Sequence, residues 1–92
     1  MINLNEYFEG AVKSLAYENG GKSTVGVIDV GEFEFGTSTP EIMHIIEGEM
    51  KVLLRGSSEW QIYTAGQQFE VAANASFKVR VDTPTSYLCK YK

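Results

Sequence analysis

Apolar and polar residues alternate along most of this chain in short runs, the period-2 mark of half-buried β-strands. Glu32-Phe33-Glu34-Phe35, Phe77-Lys78-Val79-Arg80-Val81 and Tyr87-Leu88-Cys89-Lys90-Tyr91 carry the pattern most plainly. Lys13-Leu15-Tyr17 alternates with smaller partners, and Ser23 to Val30 carries Val25, Val27, Ile28 and Val30. Ile42 to Ile46, Met50 to Leu54, Trp60 to Tyr63 and Phe69 to Val71 complete the set. The breaks between runs are turn chemistry: Asn19-Gly20-Gly21, Gly31, Glu47-Gly48-Glu49, Gly56-Ser57-Ser58, Ala65-Gly66 and Asp82-Thr83-Pro84. Thr37 to Pro40 and Ala72 to Ala75 read as loops, because Pro40 has no donor for a ladder. About nine short strands with turn signals every ~8–12 residues predict a sandwich or barrel. No stretch sustains an apolar 3.6 period, so the expectation is an all-β fold in one domain over residues 1–92.

Length agrees, since 92 residues fill a single small domain. Hydrophobic residues make up 43% and charged residues 22%, the make-up of a folded globular chain rather than a disordered one. The net charge of −4, with Lys and Arg scattered from Lys13 to Lys92, argues against nucleic acid as a partner. No apolar run approaches the ~20 residues of a membrane span, and Met1 to Glu6 lacks the basic and apolar regions of a secretory signal. A lone Cys89 has no internal disulfide partner, which fits a reducing cytoplasm.

Glu41 is followed after six residues by Gly48, and Gly66 heads a second segment. These spacings resemble the two motifs of the cupin barrels, which implies a single cupin-like double-stranded β-helix, a small jelly-roll barrel. The metal-binding histidines of that pattern would fall at Phe35 and Thr37, or at Glu34 and Gly36, and at Phe77. The second motif's Pro, Gly and Asn fall at Ala72, Asn74 and Val81. With every imidazole position filled otherwise, Glu41 alone cannot hold a transition metal, and no metal is expected.

Three further segments narrow the likeness: Asn5 to Gly10 with Val12-Lys13-Ser14, then Trp60-Gln61, then Pro84-Thr85-Ser86-Tyr87-Leu88-Cys89. Together they resemble the small bacterial pyrimidine/purine nucleoside phosphorylase family over essentially the whole chain. The resemblance implies a metal-independent enzyme, a pentosyltransferase, that cleaves diverse nucleosides with inorganic phosphate to free base and pentose 1-phosphate. It needs no cofactor beyond phosphate as co-substrate and implies a homodimer; nucleoside salvage in the cytoplasm is the expected role.

Strand parity then sorts the candidates. If Glu41 points into the barrel, so do Met43 and Ile45, while His44 points out to the surface or a subunit contact. Phe77, Val79 and Val81 face in, and Lys78 and Arg80 face out. Tyr87, Cys89 and Tyr91 share one face of the last strand and Ser86, Leu88 and Lys90 the other, with the inner face left open. Glu41 is the catalytic candidate, able to bind sugar hydroxyls or stabilise charge developing at the anomeric carbon; the plain alternative is a solvated carboxylate beside Pro40. Thr37, within the hydroxyl-rich loop Thr37-Ser38-Thr39, is a substrate-binding candidate, or ordinary turn chemistry. Phe77 and Tyr87 are candidates for stacking on a base, or core. Tyr7 either caps a barrel mouth or staples the terminus. For phosphate the candidates are Lys90, Lys13 and Arg80, with Lys90 beside Tyr87 the most coherent pairing, unless backbone N–H groups do the work. Cys89 reads as a buried small hydrophobe. The competing functional reading is a non-enzymatic cupin that binds a nucleoside or another small molecule as sensor or scaffold.

Overall fold

The structure, a computed structural model, describes all residues 1–92. Ten strands follow in order: β1 (Asn3–Tyr7), β2 (Val12–Glu18), β3 (Lys22–Ile28), β4 (Gly31–Gly36), β5 (Glu41–Glu47), β6 (Glu49–Leu54), β7 (Gln61–Thr64), β8 (Gln68–Val71), β9 (Ser76–Val81) and β10 (Thr85–Tyr91). They form a six-stranded sheet, β1-β2-β3-β10-β5-β8, facing a four-stranded sheet, β4-β9-β6-β7. Every pairing is antiparallel. No helix is long and apolar enough to cross a membrane.

The core lies between the sheets and follows the period-2 rule. Met43 and Ile45 of β5, Met50 and Val52 of β6, and Phe77, Val79 and Val81 of β9 are all buried. Their neighbours Lys51, Lys78 and Arg80 point outward, as parity requires. Gly48 makes the β5–β6 hairpin possible. Its φ of +103° is a left-handed conformation that disfavours a side chain, and a Cβ there would lie 2.5 Å from Thr85 Oγ1.

Two features differ from the sequence expectation. The first is β1, a tenth strand at the sheet edge, whose Asn3 and Asn5 hide its strand character because Asn is depleted in strands. The second is the orientation of β2 and β3. The small residues Ser14, Ala16 and Thr24 face inward and are buried, whereas Leu15 is 47% exposed and Val27 50% exposed. Leu4, Leu15, Val25 and Leu88 form one register row across the outer face. Small inner side chains under this part of the sheet leave a space that larger ones would fill.

Between β1 and β2 the chain makes a tight turn at Phe8–Gly10, closed by a hydrogen bond from Ala11 N to Phe8 O. Phe8 and Glu9 adopt φ of 53° and 57°, in the left-handed region that non-glycine residues seldom occupy. The turn seats the Phe8 ring 5.0 Å from Phe33 and 5.5 Å from Phe35, the latter edge-on.

Candidate active site

The space beneath β2 and β3 is a cavity of about 240 Å³, just under the usual size of ligand pockets, about 300–1,000 Å³. Its two walls differ in chemistry. The wall from the larger sheet is polar, because ladder register aligns polar inner residues of adjacent strands. One row places Ser14, Gly26 and Tyr87 side by side, and the next places Thr24, Cys89 and Met43. A third places Tyr91 opposite Glu41. The facing wall is aromatic: Phe8 leans on Phe35, and Phe35 stacks on Phe77 at 5.7 Å.

Gly26 sets the position of Tyr87. The Tyr87 ring crosses directly over Gly26, so that a Cβ there would fall 2.5 Å from Oη and 2.6 Å from Cζ. The absent side chain lets the hydroxyl lie across β3 toward Ser14, the register partner of Gly26 on β2. One row further on, the Tyr91 and Thr24 hydroxyls lie 3.5 Å apart. Cys89 Sγ donates to Glu41 Oε1 at 3.3 Å.

Electrostatics follow from burial. Tyr87 is pushed up to about 12, mainly by desolvation, with the Cys89 thiol adding to the rise and the nearby Ser14 hydroxyl opposing it. Cys89 is likewise raised to about 12, by burial and then by the neighbouring Glu41 charge. Burial also raises Tyr91. All three are therefore neutral donors near neutral pH. Glu41 is raised above its ordinary value by burial, against the opposing effects of the Cys89 hydrogen bond and the Lys22 charge.

The raised Glu41 gives a stability signature. Folding favours its protonated form, so the native protein takes up a proton between the ordinary carboxylate range and the raised value. The ionised group opposes folding above that window and has no such effect below the ordinary value. Glu41→Gln should therefore melt above the parent protein at pH 8, with the gap closing as pH falls through the carboxylate range. A lower melting temperature at pH 8 would show that Cys89 and Lys22 outweigh burial.

Of the sequence candidates, Glu41, Phe77, Tyr87 and Tyr7 line the cavity, and the inner face of β10 is the one bearing Tyr87, Cys89 and Tyr91. Four others are not brought there. Thr37 ties its loop to the 72–75 loop: its Oγ1 lies 2.6 Å from Ala72 O and 3.3 Å from Ala75 O, and it accepts from Ala75 N. Lys13 projects from the outer face of β2, its Nζ 3.9 Å from Glu6. Arg80 lies on the outer face of β9, paired with Glu32 at 3.3 Å and packed over Trp60. Lys90 alternates with the cavity residues Cys89 and Tyr91 and lies opposite Ser23 and Ile42, so the expected pairing with Tyr87 is not formed. Sequence reasoning gave no cavity role to Ser14, Thr24 or Gly26. Only cross-strand register reveals them, and their small size on alternate positions was the available signal.

Fold and site together define a cupin-like β-barrel with an amphiphilic cavity between its sheets. An RmlC-like cupin from Shewanella frigidimarina superposes with a TM-score of 0.77 at 19% identity, covering 98% of this chain and 82% of its own, a likeness of fold alone. A Vibrio parahaemolyticus protein of unknown function superposes with a TM-score of 0.96 at 41% identity, over 100% of this chain and 99% of that one. A protein of Shewanella halifaxensis named pyrimidine/purine nucleoside phosphorylase is 51% identical over 92 residues, 99% of each chain. The model of the pyrimidine/purine nucleoside phosphorylase family matches residues 2–91. The chain belongs to that family and is an enzyme of that class.

Proposed function

We propose that this cavity performs phosphorolysis of a range of purine and pyrimidine nucleosides without a metal ion. The observation that carries the reading is the opposition of an aromatic wall, Phe8, Phe35 and Phe77, to a wall of hydroxyls and one carboxylate. A nucleoside has the same two-sided chemistry. Its base offers a π-face, which any aromatic wall accepts irrespective of base identity. Its sugar offers hydroxyls, which Ser14, Thr24, Tyr87 and Tyr91 can pair with.

In the reaction the C1′–N bond breaks and its electron pair leaves with the base. A phosphate oxygen forms the new C1′–O bond, and the base acquires a proton from phosphate or solvent. The sugar passes through an oxocarbenium-like state, as in glycoside hydrolysis. Glu41 stabilises that positive charge from the polar wall, and the neutral Cys89 thiol orients it by donating to Oε1. Metal independence is supported by the donor set, since no three His, Cys, Asp or Glu side chains converge to hold an ion.

Cytoplasmic nucleoside salvage fits the single buried Cys89. The apolar row Leu4, Leu15 and Val25 on the outer sheet face supports a homodimer of two copies packed through it. Sedimentation velocity should give twice the 10.2 kDa chain mass; a monomer removes that part of the reading.

The deciding experiment is a chromatographic assay with uridine and adenosine separately, with and without phosphate, chelator present throughout. Free base formed only with phosphate is expected from both. Base released without phosphate identifies a hydrolase, and no release by folded protein leaves a binding cupin.

A further inference from the structure

A phosphate dianion is held most strongly by a cation, yet the charged side chains lining the cavity are Glu34 and Glu41, and no Lys or Arg is among its lining residues. Alternation explains this. Lys51, Lys78, Arg80 and Lys13 each sit between inward-facing residues of their strands and project outward. Lys13, Lys51, Arg80 and Lys92 are further held in ion pairs with Glu6, Asp82, Glu32 and Glu70.

Lys22 is exposed and lies beside the lining rather than in it, but it differs from these in parity and in having no ion pair. At the start of β3 it shares parity with Thr24, Gly26 and Ile28, all of which face inward. The ladder that pairs Lys90 with Ser23 sets Lys22 beside Tyr91, and Tyr91 in turn pairs with Glu41. Its Nζ rests 4.7 Å from the centroid of the Tyr91 ring, and it forms no ion pair. Its charge is felt at Glu41, where it opposes the rise caused by burial.

We propose that Lys22, poised on the Tyr91 ring at the end of the polar wall, is the cation that binds the phosphate co-substrate. The assignment rests on the phosphorylase reading and supplies the one component its cavity lining lacks. An exposed cation–π contact is weak, whereas a charge-assisted hydrogen bond to phosphate is among the stronger polar contacts, so the ammonium exchanges ring for dianion readily. The Tyr91 and Thr24 hydroxyls, held neutral or non-ionising beside it, are further donors to the same oxygens.

The test is calorimetric titration of inorganic phosphate into the intact protein, without nucleoside, for the parent protein, Lys22→Gln, Lys22→Arg and Lys90→Gln. Melting curves accompany each to show that the variants fold. Lys22→Gln should weaken phosphate binding by about 10–100-fold. Lys22→Arg should largely restore it, and Lys90→Gln should leave it unchanged. In turnover, Lys22→Gln should raise the phosphate KM by the same factor and leave the nucleoside KM alone. Parent-like phosphate affinity in Lys22→Gln, or no phosphate binding by the parent protein, overturns the assignment. Phosphate binding through Lys22 without any base release would instead keep the subsite and remove the phosphorylase reading.

Discussion

Replacing Glu41 by Gln lowers turnover by about 10²–10³-fold, the usual loss when one group aimed at developing charge is removed. The substitution keeps shape and an oxygen that can still accept from Cys89 Sγ, so the loss isolates the charge. Because the positive charge develops only on the way to the transition state, kcat should carry the loss and the nucleoside KM should change little. The parent enzyme should also lose activity as pH falls, along a limb lying above the ordinary carboxylate range, since burial raises the Glu41 carboxyl. Glu41→Gln should lack that limb. Steady-state kinetics over pH measure both effects, and near-normal turnover in the variant would remove Glu41 from the chemistry.

A single methyl group at Gly26 should be nearly as damaging, though it touches neither charge nor nucleophile. Gly26→Ala puts Cβ 2.5 Å from the Tyr87 hydroxyl and 2.8 Å from its ring edge, so the ring must leave its place over β3. Overpacking of this kind costs about 1–3 kcal/mol, a melting shift of several to about 20 °C in a domain of this size. Displacing Tyr87 also removes its hydroxyl from the polar wall of the cavity, so the nucleoside KM should rise along with the loss of stability. A double-mutant cycle with Tyr87→Ala separates crowding from a general weakness of β3. The double variant should be more stable than the two single effects predict when added. Strict additivity would mean that Gly26 does not act through Tyr87.

The fold could be read from the chain wherever one strand face is polar and the other apolar. β9 is such a strand, and parity there turned Phe77 in and Arg80 out; in β5, apolar on both faces, Met43 and Ile45 were placed inside only by sharing parity with Glu41. Glu41 was legible through its spacing to Gly48. β2 was harder, because a cavity reverses the ordinary rule: the inward residues Ser14 and Ala16 are small, and Leu15 lies outside. The polar wall was illegible for a different reason. Ser14, Gly26 and Tyr87 are far apart in sequence and meet only through the registers of two ladders, which depend on turns at the ends of the strands. Lys22 was hidden likewise, since its partner Tyr91 lies at the other end of the chain.

The left-handed turn at Phe8 and Glu9 has an energetic consequence for how the cavity admits a base. Each of its two non-glycine residues sits in a conformation that costs roughly 1–2 kcal/mol. The contacts of the Phe8 ring with Phe33 and Phe35 return about 0.5–1.5 kcal/mol apiece. The strain and the ring contacts are of similar size, so the strained turn persists because the Phe8 ring packs against Phe33 and Phe35. Any base that took the place of the Phe8 ring on Phe35 would forfeit those contacts and release the backbone strain together.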